Sequence, residues 1–218
     1  MTAALALLAA LAVLLLGPYA FAFESALAGG RFAPDLTARQ RRVTAAMMMA
    51  IGGGAALAVA HTSALRPASV ALVAAAAATP VLAFIDIRAR QLPLPLSGLL
   101  AAAAALAFSI DACFYGTWSH TWSALVSALV TGSVAAVFWY LVRGSLGLGD
   151  VALLTVIALY LGWHSWAAAW LGVLAATFAA CMLALAHKIR YRTKGARIPL
   201  GPTYLAVWWI LEALNLAT

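Results

Sequence analysis

Long apolar runs separated by short polar turns decide what this chain can fold into. They occupy about residues 3–23, 43–60, 69–85, 94–110, 122–142 and 151–186, and a last run follows Pro202 to the end. A helix crossing the hydrocarbon of a bilayer needs about 20 apolar residues and satisfies its own backbone, which an open sheet in lipid does not do. With 66% hydrophobic and only 9% charged residues in 218, no stretch is left for a soluble domain. The expected fold is therefore an all-α, polytopic membrane helix bundle of about eight transmembrane helices, one domain over residues 1–218. The run 151–186 is too long for one span, and Gly162-Trp163-His164-Ser165 is the expected break. Gly52-Gly53-Gly54 and the alanines 74–78 are expected to let neighbouring helices approach closely.

The net charge of +7 resembles that of a nucleic-acid binder, but its distribution points elsewhere. Placing the N-terminus outside and alternating eight spans puts twelve of the thirteen Lys and Arg on one side. Only Arg66 falls on the other. That asymmetry assigns the basic side to the cytoplasm and makes lipid headgroups, not nucleic acid, the partner of the basic loop Lys188 to Arg197. The expected location is the plasma membrane, multi-pass, with the first run retained because no basic residue precedes it. Trp118, Trp122, Trp163 and Trp166 then bracket the outer loops as interfacial anchors. Asp111, Trp118, His120 and Trp122 are read as an outer loop. His61, His120, His164 and His187 lie at span ends without metal-ligand spacing, and Cys113 and Cys181 read as packing residues.

The same topology sorts the six acidic residues. Glu24 and Asp35 fall in the first loop, Asp111 faces outside, and Glu212 sits in the last span without an acidic mate. Asp86 and Asp150 alone lie at the cytoplasmic ends of spans, at one depth, despite their separation in sequence. An ionised Asp on the rim of a span needs water, a partner or a function. Two carboxylates that share one water cannot both ionise cheaply, so they share a proton and titrate as a unit. The ionised member can then take a proton from water while the neutral one protonates a carbonyl oxygen, the chemistry of aspartic proteases. Gly147 and Gly149, just before Asp150, are expected to permit close approach and positive φ. Taken singly, Asp86 could be a helix-end partner of Arg88 or Arg90, and Asp150 an N-cap.

Gly147-Leu148-Gly149-Asp150 resembles the GxGD motif of membrane aspartyl proteases. Asp86, followed by Arg88, Arg90 and Leu92-Pro93, is similar to the first-Asp segment of type IV prepilin peptidases, and Pro199-Leu200-Gly201-Pro202 to their late turn before the final helix. The resemblance covers about residues 70–209, in the family's order. It implies a six-helix peptidase core with additional N-terminal spans, and removal of the leader peptide from pilin-like precursors at the cytoplasmic boundary. It further implies cleavage after a leader glycine, Asp86 and Asp150 as the catalytic pair, and neither metal nor organic cofactor. Gly147, Gly149, Arg88, Arg90, Pro93, Gly201 and Pro202 would support them. The chain departs from the family pattern at Leu94, where Asn is frequent, and at Ala152, where Lys is frequent. It lacks the cysteine-bearing cytoplasmic domain of the larger members, so methylation of the new N-terminus is not expected. A proton- or cation-coupled small transporter using the same carboxylates, or an inactive homologue, is the alternative.

Overall fold

The computed structural model describes residues 37–62, 66–142, 147–191 and 199–217. Among them are seven helices and no strand: α1 (Ala38–Thr62), α2 (Pro67–Ala89), α3 (Leu94–Tyr115), α4 (Trp118–Leu141), α5 (Leu148–His164), α6 (Trp166–Tyr191) and α7 (Gly201–Ala217). Five of these, α1 to α4 and α6, are long and apolar enough to cross a membrane. The remaining two, α5 and α7, have 17 residues each. The described residues are thus all-helical, and their five long apolar helices are compatible with a multi-pass membrane protein. The expected first span, about Ala3 to Phe23, lies outside the described residues, as does Arg143.

Proline and glycine set the helix ends where their chemistry predicts. Pro67 opens α2 at a position whose N–H has no intrahelical acceptor. Pro93 is the N-cap of α3 and Pro95 stands in its first turn. Gly116 closes α3 in the left-handed region at φ 70°, and its N–H donates to the Ala112 carbonyl at 2.9 Å. Ser165 is extended, at φ −166° and ψ 158°, and divides α5 from α6 inside the stretch where a break is expected.

Several expectations are corrected. Helix α3 runs on to Tyr115, so Asp111 is not in a loop but is a fully buried helical residue, its Oδ2 accepting from Thr117 Oγ1 at 3.0 Å. Trp118, His120 and Trp122 begin α4 rather than precede it. Cys113 and Cys181 are both exposed, so neither packs a core. Among the described residues a Cβ on Gly53 or Gly54 would meet nothing within 4 Å, so of the three glycines only the buried Gly52 is left to serve close packing between described segments. Gly162, by contrast, is not the break: it lies inside α5, where a Cβ would stand 2.9 Å from Ala124 Cα and Ser127 Cβ of α4. Small residues let these two helices pack backbone to backbone, as membrane helices do without a hydrophobic force between them.

One of the two shortest helices, α5, is also the centre of the bundle. Helix α5 packs against α3, α4, α6 and α7, and its residues from Val156 to Gly162 are all buried. Tyr160 of α5 meets Phe108 of α3 edge to face at 5.8 Å and Trp208 of α7 at 5.1 Å. Its hydroxyl donates to the Ala71 carbonyl of α2 at 3.2 Å. Four helices therefore converge on one side chain. The alanine run of α2 contributes as expected, with Ala75, Ala76, Ala77 and Ala78 fully buried. Around this centre the outer faces of α4 and α6 stay apolar: Leu129 is 70% and Phe178 65% exposed, as suits surfaces turned to acyl chains.

Candidate functional site

Asp86 continues the buried stripe of α2. Ala75, Ala78, Leu82 and Asp86 recur at helical spacing, so the rotation that buries the first three also turns Asp86 inward, and it is 4% exposed. The helix does not stop at Asp86 but reaches Ala89, and Arg90 closes it in the left-handed region at φ 52°. Its N–H donates to the Asp86 main-chain carbonyl at 2.8 Å. That sharp turn sends residues 91–93 back across the helix end, with Leu92 and Pro93 buried. Arg90 itself is exposed and Arg88 half-buried.

Asp150 arrives in the first turn of α5. Its Oδ2 accepts from the N–H of Gly147, the N-cap residue, at 3.0 Å. This is one half of a capping box, since glycine has no side chain to return the bond. Gly147 has φ −83° and ψ 148°, an ordinary extended conformation, and Gly149 is helical, so positive φ is not what either glycine provides. Gly149 provides space: a Cβ there would lie 2.7 Å from both Cβ and the carbonyl oxygen of Leu92. The turn after Asp86 and the turn before Asp150 are thereby pressed together.

The third segment closes the arrangement. Gly201, the first residue of α7, donates its N–H to Asp86 Oδ2 at 2.8 Å, and a Cβ on it would stand 2.8 Å from that same oxygen. Pro202 follows in the first turn, where a missing N–H is harmless. The Leu200 carbonyl accepts from Thr203 and Tyr204 at 3.0 and 3.1 Å and starts the helix.

Asp86, Asp150, the segment around Pro93 and the Gly201-Pro202 turn thus meet at one end of the bundle. Asp150 lies within electrostatic reach of Asp86. Each carboxylate has one oxygen anchored by a glycine amide, which leaves the other oxygen available to a water or a shared proton. Access differs: Asp150 is half-buried beside exposed Gly147 and Leu148, whereas Asp86 is enclosed.

Two features were not anticipated. Tyr204, 2% exposed, lies within electrostatic reach of Asp150, Cys181 and Asp86. Only its place three residues after Gly201 hinted at that, because residues at this spacing share a helix face. Near the opposite end of α7, Glu212 is fully buried and His164 Nε2 lies 3.0 Å from its Oε2. The angles are not those of a hydrogen bond, and Oε1 has no donor. Glu212 thus has a basic mate where an acidic one was sought. His120 Nδ1 lies 2.9 Å from the Trp163 carbonyl. Among the described residues no three His, Cys, Asp or Glu side chains are grouped to hold a metal ion.

Comparison with protein-family models, with curated proteins and with solved structures gives no match.

Proposed function

We propose that the chain is a membrane aspartic endopeptidase of the type IV prepilin peptidase kind, which removes the leader from pilin-like precursors at the cytoplasmic boundary of the plasma membrane. The observation that carries this reading is the meeting of Asp86, Asp150 and Gly201 at one end of the bundle, through a 2.8 Å bond from the Gly201 amide to Asp86. A topological charge or a simple helix cap requires no such meeting. The reaction uses only the two acids and water. The ionised carboxylate takes a proton from water as its oxygen adds to the scissile carbonyl carbon, and the neutral carboxyl protonates the carbonyl oxygen. Collapse of the tetrahedral adduct breaks the C–N bond, the leaving nitrogen receives the proton taken from water, and the initially neutral carboxyl recovers its proton from the adduct's hydroxyl as the C=O re-forms. A precursor whose leader ends where its hydrophobic helix begins brings the scissile bond to the depth of this pair.

The carrier reading is favoured by one observation, the buried Glu212 beside His164. Against it, the inward face of α7 between Tyr204 and Glu212 carries buried Leu205 and Trp208. Apolar side chains there separate the two polar ends instead of linking them. Co-expression with a panel of pilin-like precursors distinguishes the readings. The peptidase yields a shortened product that disappears with Asp86→Asn and with Asp150→Asn. Processing that survives either substitution overturns the assigned mechanism, and no processing of any precursor favours the carrier.

A further inference from the structure

Helix α1 is held from one side. Its extended contact among the described residues is with α2, and Met48, Gly52, Ala56 and Val59 are its buried face. It shares with α6 the lowest burial of the five long helices, yet the two open faces are unlike. That of α6 presents large side chains in succession, Leu171, Leu174 and Phe178, as a surface covered by acyl chains does. That of α1 is a trough. Ala46, Ala50 and Gly54 recur every four residues along its floor, all exposed, so they lie in one row of the helix surface. Val43, Met47 and Ile51 form the ridge on one side of that row, and Met49 and Leu57 stand on the other, all exposed as well. Among the described residues a Cβ on Gly54 would meet nothing within 4 Å.

We propose that the apolar run of about residues 3–23 packs into this trough as a helix antiparallel to α1. The inference is independent of the peptidase reading. Residues 24–37 alone join the run to α1, a connection that reaches at most about 50 Å, and consecutive elements are usually neighbours. The other side of α1 is taken by α2, itself the most buried of the long helices, which leaves the trough as the place for that neighbour. The sequence of the run fits it. Read at helical spacing, Ala6, Ala9, Ala10, Val13 and Gly17 share one face, and Leu8, Leu11 and Leu15 lie opposite. A hairpin turning near residues 31–32, close to the middle of the connection, sets Ala10 level with Gly54, Val13 with Ala50 and Gly17 with Ala46. Small residues then meet small residues, the backbones approach, and van der Waals contact between helices replaces looser contact with lipid. The leucines of the run are left to face the bilayer.

Disulfide cross-linking of the full-length protein in native membranes tests this, with Cys113→Ser and Cys181→Ser removing the exposed native thiols. The pairs Ala10→Cys/Gly54→Cys and Gly17→Cys/Ala46→Cys should each link within one chain under mild oxidation, read by gel mobility and by mass spectrometry of the joined peptides. Leu11→Cys/Gly54→Cys, from the opposite face of the run, should not link. Gly54→Leu fills the trough: it should abolish the Gly17→Cys/Ala46→Cys link and, in the otherwise unaltered protein, lower the melting temperature by about 2–10 °C. If lipid covers this face, neither pair links and Gly54→Leu leaves melting unchanged or raises it, because leucine is the better helix former. That result overturns the proposal. Links that join two chains instead of one show a second copy in the trough and overturn it too, as does a Leu11→Cys pair that links as fully as the Ala10→Cys pair.

Discussion

The backbone N–H of Gly201 donates to Asp86 Oδ2 at 2.8 Å, joining the first residue of α7 to the last turn of α2. The bond ties a late proline-glycine turn to an acid encoded far upstream. It also explains the glycine, because the atom that a side chain would add at position 201 coincides with the space Asp86 Oδ2 occupies.

Gly201→Ala should therefore insert and accumulate normally but displace Asp86. Loss of a hydrogen bond to a charged group is about 1.5–3 kcal/mol, which corresponds to roughly a tenfold to hundredfold fall in precursor cleavage. Quantitative gel analysis against wild-type membrane levels measures it. Cleavage within twofold of wild type would mean that this contact does not position Asp86.

The two glycines before Asp150 should differ. At position 149 an alanine Cβ meets the Leu92 carbonyl oxygen at 2.7 Å, a backbone atom that shortening Leu92 does not move. Gly149→Ala should lower the melting temperature and activity, and Leu92→Ala should not restore either. At position 147 the nearest atom, at 3.1 Å, is the Asp150 Oδ2, the end of a side chain and not backbone, and the backbone is extended. Gly147→Ala keeps the N–H donor and should have the milder effect on melting. Equal effects at the two positions would contradict this account.

Arg90 adopts φ 52°, a conformation that disfavours residues with a Cβ by about 1–2 kcal/mol. Arg90→Gly should raise the thermal stability in detergent, and Arg90→Val should lower it. If Arg90 also holds part of a substrate, Arg90→Gly will raise KM while stabilising the protein. A melting temperature lowered by the glycine would show that the arginine side chain contributes more than the backbone conformation costs.

Near the other end of the bundle, His164→Leu leaves Glu212 enclosed without the basic neighbour it has among the described residues. An uncompensated buried charge destabilises by about 3–5 kcal/mol, whereas replacing both partners with apolar groups is often neutral. The double variant His164→Leu/Glu212→Leu should melt above His164→Leu alone. Additive effects in the double-mutant cycle would show that the two groups do not interact.

Much of this arrangement was legible in the sequence, for identifiable reasons. Run length and composition marked the apolar helices, and Pro67, Pro93 and Ser165 stand where those helices begin or break. Alternation of spans placed Asp86 and Asp150 at one end, because that inference needs only connectivity. What was not legible depends on helix rotation and tertiary closeness. Asp111 read as a loop residue because a carboxylate near a span end is ordinarily solvated, but Thr117 supplies it a donor and α3 continues past it. The pairing of Glu212 with His164 and the approach of Tyr204 to the acids require knowing which face of α7 turns inward. Gly162 looked like a loop-forming glycine, whereas it packs α5 closely against α4; Gly149 gives the close approach expected of it but not the positive φ.

The central claim, that Asp86 and Asp150 act as one unit, is tested most directly by precursor cleavage rates for Asp86→Asn, Asp150→Asn and the double variant at equal membrane levels. Residues that work as a unit are non-additive. The account predicts that each single variant is as inactive as the double. Substantial cleavage by either single variant, or losses that multiply in the double, would contradict it.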